Sequence, residues 1–205
     1  MKSPIRGRRL LLLLAAATVL AILTCMILLT INYLQNENSD RENLERLEEE
    51  WRNRPQDLDP TSFNPGDLVG RIIIPCIGID FPVVEMANVD DIQNLNRAPA
   101  HLAGTALPGQ PGNCVISGHR VTYNHPFLNL DKLKPGDEVI LLDIKERRYS
   151  YQVDQVFTVD PTDTSILEPT NNPTITLITC HPPHSARFRL VVKGHLVSKL
   201  LLNHL

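Results

Sequence analysis

At 205 residues the chain has room for one domain and some appendages. A net charge of −3 gives no sign of a nucleic-acid partner, and 5% aromatic content argues against a stacking surface for bases or sugars. A hydrophobic share of 42% is ordinary for a globular protein and leaves the fold class open.

The first elements read as a membrane segment. Lys2, Arg6, Arg8 and Arg9 place four positive charges and no acid within residues 1–9. From Leu10 to Ile31 the chain then carries 22 residues without a charge. As a helix this run reaches roughly 33 Å, enough for a hydrocarbon core of about 30 Å. A cleaved signal peptide, the competing reading, would have a shorter apolar region ending in small residues, and Thr30-Ile-Asn-Tyr-Leu34 lacks that ending. The expectation is a signal anchor over residues 10–33, with the basic segment 1–9 cytoplasmic and the remainder extracellular.

Residues 34–63 form a polar stalk. Ser39 and Glu42 have capping-box spacing, which predicts a helix start there. Leu44, Leu47 and Trp51 recur at i, i+3 and i+7 as a narrow apolar stripe on a charged helix. Two readings of that stripe stand: a solvated stalk, or a helix that docks on the domain or self-associates. Pro55, Pro60 and Pro65 end the helix.

The folded domain is assigned to residues 64–205. Short apolar runs separated by Gly and Pro predict strands over Val69–Ile74, Phe81–Val84, Cys114–Ser117, Glu138–Asp143, Tyr149–Val159, Ile175–Thr179 and Phe188–Lys193. Only Asn88–Leu95 and Pro126–Leu133 look helical. Many short strands with few helices favour an all-β barrel or sandwich. A leucine cluster within Ser198–Leu205 is expected to pack as a tail.

Two strand ends carry reactive chemistry. Thr176-Leu-Ile-Thr-Cys180 is a β-rich run ending in a cysteine, and Cys114-Val-Ile-Ser-Gly-His119 ends in a histidine. A thiol nucleophile needs an imidazole nearby to favour the thiolate and to protonate the leaving amine. It also needs a fixed donor for the developing oxyanion, and Arg187 or Arg189 opens the next strand. With Cys25 in the membrane segment, Cys76, Cys114 and Cys180 form an odd set. At least one thiol outside the membrane therefore stays free or pairs between chains.

These segments resemble the sortase family. Thr176-Leu-Ile-Thr-Cys180 matches its Thr-Leu-x-Thr-Cys signature, and Gly104 to His119 looks like the stretch before its histidine. Arg71-Ile-Ile-Ile-Pro75 and Ile77 to Val84 are similar to its first strands. Asp160-Pro-Thr-Asp163 with Leu167-Glu-Pro169 is similar to the approach to its cysteine strand, and Arg189-Leu-Val-Val-Lys-Gly194 to the strand bearing its arginine. The resemblance spans about residues 67–197.

The resemblance implies a closed eight-stranded β-barrel and a cysteine transpeptidase. Such an enzyme cleaves a Leu-Pro/Ala-x-Thr-Gly-type sorting signal between Thr and Gly through a thioacyl intermediate. It then passes the acyl group to an amine of a cell-wall precursor or pilin. Carried over, Cys180 is the nucleophile, His119 the acid/base and Arg189 the oxyanion donor, with Arg187 as fallback. Thr179, Arg187 and His181 are the implied substrate-binding residues; no cofactor or metal is implied. The short Cys180-to-Arg189 loop, with His181-Pro182 after the cysteine, is most like class E and less closely class D. Thr61 after Asp59-Pro60 departs from the Asp-Pro-aromatic lid of the pilus-polymerising class C. These features point to a Gram-positive membrane protein with its catalytic domain outside.

Other residues have plainer readings. His125 and His184 read as loop histidines, and Asp163 as a loop-orienting or solvating acid. A zinc site built from Cys114, His119, Cys180, His181 and His184 would occupy the thiolate the chemistry needs. Cys76 and Cys114 read as apolar fillers inside strands, with a mutual disulfide as the alternative. A hydrolase releasing the thioacyl to water, and a catalytically silent binding protein, are the competing functions.

Overall fold

The structure, a computed structural model, describes residues 4–55, 59 and 61–200, with side chains from residue 11 onward. Lys2, Pro60 and the end of the leucine tail at 201–205 lie outside the described residues, so the class C lid comparison has no structural counterpart here. Two compact units divide at residues 42 and 43.

A single helix, α1, runs from Pro4 to Arg52. It does not start at Ser39, because nothing between Leu10 and Arg54 breaks it: that stretch holds no Gly or Pro. A capping box acts only where the preceding residue leaves helical geometry. In the first unit every side chain from Leu11 to Leu34 is exposed, and this apolar stretch is long enough to cross a membrane.

In the second unit eight strands close into a barrel: β1 Leu68–Ile74, β2 Ile79–Met86, β3 Ala100–Leu102, β4 Gly112–Ser117, β5 Glu138–Asp143, β6 Arg148–Val159, β7 Pro173–His181 and β8 Phe188–Leu200. Their order around the barrel is β1-β2-β3-β4-β7-β8-β6-β5, with β5 returning to β1. Pairing is antiparallel except for β2 with β3 and β4 with β7. β3 is the strand that the sequence pattern does not announce. Its three residues contain a buried histidine, too short and too polar for an apolar-run criterion. The predicted helices shrink to α2, Ile92–Leu95, and a single 3₁₀ turn at Leu130–Lys132.

Side chains alternate between two apolar clusters, as successive strand residues must. Ile175 and Leu177 on β7, Cys114 and Ile116 on β4, and Leu190 and Val192 on β8 join one cluster, with Ile72, Leu141 and Tyr151. Ile178, Val115 and Val191 point the other way, into a second cluster with Val84, Met86 and Leu102. Leu47, 1% exposed, belongs to that second cluster. The last turns of α1 therefore dock on the barrel. Trp51 is buried as well, Arg71 makes a bidentate pair with Glu48 at 2.9 and 3.0 Å, and Asn43 donates to the Arg97 carbonyl at 2.8 Å. Of the two readings of the apolar stripe, the structure has the docked one.

The cysteines correct one expectation. All four are free thiols. Cys114 is buried as a filler, but Cys76 is exposed in the 3₁₀ turn Pro75–Ile77, because Pro75 ends β1 one residue earlier.

One buried polar pair crosses from β2 to β3. His101 Nδ1 lies 2.7 Å from the Glu85 carboxylate, and Nε2 lies 3.1 Å from the Ala106 carbonyl. Nε2 also lies 3.1 Å from the Thr105 hydroxyl, whose own proton goes to the Leu102 carbonyl at 2.7 Å, so an imidazolium serves the carboxylate and the carbonyl together. Burial works against that charge, but the Cys114 sulfur and the Glu85 carboxylate near the ring outweigh it and lift the histidine to about 10.

Candidate active site

β7 lies between β4 and β8, so its end has a neighbour on each side. On one side the antiparallel register sets Cys180 opposite Arg189. Opposed residues share a face of the sheet. Arg189 accordingly directs Nη1 to 3.7 Å from Cys180 Sγ, and the same nitrogen donates to the Ala186 carbonyl at 3.3 Å. Arg187 precedes the ladder, and its guanidinium lies over the Phe188 ring at 5.3 Å. On the other side the parallel ladder pairs Ser117 with Ile178, which brings the Gly118-His119 end of β4 beside the cysteine.

Cys180 follows Thr176 and Ile178 on the outward face of β7, and His119 follows Val115 and Ser117 on that of β4. Cys180, His119 and Arg189, each half-buried, line one cavity of about 330 Å³. Its walls include Ile92, Leu102 and Ile178. Thr179 also borders it, but its hydroxyl points inward and donates to the Gly118 carbonyl at 2.7 Å, tying the two strand ends together. His181 is not among the lining residues; its Nδ1 accepts from Arg120 at 3.1 Å.

Asp163, also on the cavity, accepts from the Ser165 backbone N–H at 3.0 Å. Hydrogen bonds from the Ser165 side chain and backbone hold its carboxyl below the ordinary value. Among the described residues no three His, Cys, Asp or Glu side chains come together as a metal-ligand set.

Three residues around His119 escape sequence reasoning. Asn96, after α2, accepts from His119 Nε2 through Oδ1 at 2.8 Å. That bond puts a proton on Nε2 and orients the ring. Tyr123 packs on the other side, with ring centroids 4.9 Å apart. It does so within three consecutive left-handed residues, Tyr123, Asn124 and His125, at φ 52, 64 and 52°. Such a conformation costs roughly 1–2 kcal/mol per residue. Arg120, next to His119, is buried. Nothing in a single sequence marks Asn96 or Arg120 as different from any other loop amide or arginine.

The model of the sortase domain family matches residues 72–197, well over half of the chain. This chain belongs to the sortase family. It is 29% identical to sortase SrtE1 of Streptomyces coelicolor, covering 75% of this chain and 46% of that protein. It is 32% identical to sortase D of Bacillus subtilis, covering 59% of each. The chain thus spans about half the length of the curated relatives it matches. Among solved structures, a sortase D5 transpeptidase of Clostridium perfringens aligns at TM-score 0.64 and 29% identity, over 78% of this chain and 98% of that one. Sortase E of Streptomyces avermitilis aligns at TM-score 0.60 and 32% identity, over 67% and 92%. A sortase C of Clostridium perfringens reaches TM-score 0.61 at 28% identity, over 78% and 89%. The barrel alone therefore does not separate the sortase classes.

Proposed function

We propose that this sortase-family chain is a membrane-anchored cysteine transpeptidase with Cys180 as nucleophile, His119 as acid/base and Arg189 as oxyanion donor. The observation that carries the reading is the ladder pairing of Cys180 with Arg189 in a cavity that also holds His119. In the reaction, the Cys180 thiolate attacks the threonine carbonyl of a Leu-Pro/Ala-x-Thr-Gly-type signal. Arg189 donates to the oxygen as it gains negative charge. His119 gives a proton to the departing glycine amine, leaving a thioester on Cys180. An amine of a cell-wall precursor or pilin then attacks the thioester while His119 takes up its proton, and the Cys180 thiolate is released, which restores the starting pair. The apolar wall at Ile92, Leu102 and Ile178 suits the leucine and proline or alanine of the signal.

The N-terminal apolar helix serves as the anchor in this reading. Its basic end faces the cytoplasm and the barrel lies outside, where secreted surface proteins and cell-wall amines meet. The test uses the full chain in detergent micelles, a fluorogenic Leu-Ala/Pro-x-Thr-Gly peptide and an added amine. Mass spectrometry should find the amine-transfer product, and Cys180→Ala should abolish turnover. Wild-type turnover in Cys180→Ala would dismiss the assignment, and free acid alone at saturating amine would make the protein a hydrolase.

A further inference from the structure

Backbone pairing between β4 and β7 stops just short of the candidate site. Its last backbone link is the Gly118 N–H to the Ile178 carbonyl at 3.0 Å, and the Thr179 hydroxyl adds a side-chain bond to the Gly118 carbonyl at 2.7 Å. His119 and Cys180 come next, so the ladder itself does not fix their separation. A side chain takes over at that point. The Arg120 guanidinium, 1% exposed, donates through Nη1 to His181 Nδ1 at 3.1 Å and, at the long limit of 3.5 Å, to the carbonyl of Cys180. Through Nε it donates to the Leu128 carbonyl at 3.2 Å, and through Nη2 it pairs with Asp131 at 2.8 Å.

One buried cation thus ties three segments: the residue after the histidine, the cysteine with its neighbour, and the loop that turns back beneath the histidine. That loop is itself closed on His119, whose carbonyl accepts from the Phe127 N–H at 3.1 Å. Only a planar fork of five donors can serve a carbonyl, a carboxylate and an imidazole lone pair at once; a lysine offers a single point. Taking a guanidinium out of water is costly, so four acceptors on two other segments mark a built arrangement.

We infer that Arg120 is a positioning residue that sets the separation of His119 and Cys180. The inference rests on the catalytic reading above. Arg120 faces the backbone behind the nucleophile and acts through His119 and Cys180 on the reacting bond.

The experiment uses the full chain in detergent micelles, with Arg120→Gln and Arg120→Lys in the wild-type and His119→Ala backgrounds. Two quantities are read: the rate at which iodoacetamide labels Cys180, by the mass of its peptide, and kcat and KM for transpeptidation. Arg120→Gln should lower both labelling and kcat by roughly tenfold or more, with KM within about twofold. Arg120→Lys should recover part of the loss. In the His119→Ala background, labelling should change less than about twofold, because the partner through which Arg120 acts is gone. Asp131→Asn, on a partly exposed side chain, carries the same test with a gentler change and should show the same pattern at smaller size. Equal fold-losses in the two backgrounds overturn the inference, as does wild-type labelling and kcat in Arg120→Gln. Labelling needs no transpeptidation, so these outcomes stay separate from failure of the functional reading.

Discussion

Gly118 separates the end of β4 from His119, and a methyl group there has no room. A Cβ built on Gly118 would sit 2.6, 2.8 and 3.0 Å from Cδ2, Cε2 and Cγ of Phe127, where ordinary contact begins at 3.4 Å. Phe127 is fully buried, so its ring must retreat by about 1 Å into a packed core. Gly118→Ala should cost roughly 1–3 kcal/mol of overpacking. For a domain of this size that lowers the melting temperature by roughly 3–10 °C.

Activity should fall further than stability. Phe127 belongs to the loop that closes on the His119 carbonyl, and if His119 is the acid/base proposed above, an ångström of displacement there costs on the order of 10²-fold in kcat. Melting is followed through Trp51, the single tryptophan, and kcat by peptide turnover with amine. Phe127→Leu in the Gly118→Ala background should return part of both losses, giving a coupling of about 1–2 kcal/mol. A melting temperature within about 1 °C of wild type, with kcat within about twofold, would refute the steric reasoning.

Three more outcomes are expected. Arg189→Lys keeps the charge and loses the fork, so kcat/KM should drop on the order of 10²-fold or more, whereas Arg187→Lys should stay near wild type; the reverse result would reassign the oxyanion donor. Leu47→Ala removes a buried side chain from the second cluster and should destabilise the barrel by about 2–4 kcal/mol with a shift in Trp51 emission, where a solvated stalk would change by less than about 0.5 kcal/mol. The His101 proton is held to about 10 in the folded chain against about 6.5 unfolded. Its stabilisation is complete below pH 6.5 and is lost as pH rises through 10, at about 1.4 kcal/mol per unit. Urea titrations from pH 6 to 9 should show that slope in wild type and lack it in Glu85→Gln/His101→Gln; equal slopes would count against the buried ion pair.

Much of the site was legible because its pieces are local. Cys180 and His119 each close a β-rich run, and the runs are strong enough in Val, Ile and Thr to announce β4 and β7. The membrane-length helix is likewise local, since apolar length needs no tertiary partner. β3 and the buried His101 gave no signal, because three residues carry no periodicity. The start of α1 was misplaced for a related reason: a capping box at Ser39 is only an option, and an unbroken helix through it forgoes the option.

The sequence alone singled out Cys180 and His119 as candidates, with the strand ends that carry them, because side-chain chemistry and strand patterning are properties of short segments. It left Arg187 and Arg189 as rivals and gave no role to Asn96 or Arg120. Tertiary structure supplied the geometry that bears on them. The antiparallel register sets Arg189, not Arg187, across from Cys180. Closure of the barrel places β4 and β7 side by side, and only then do Asn96 and Arg120 have acceptors or donors within reach. Register and closure depend on which residues far apart in sequence share a face, and no local pattern encodes that.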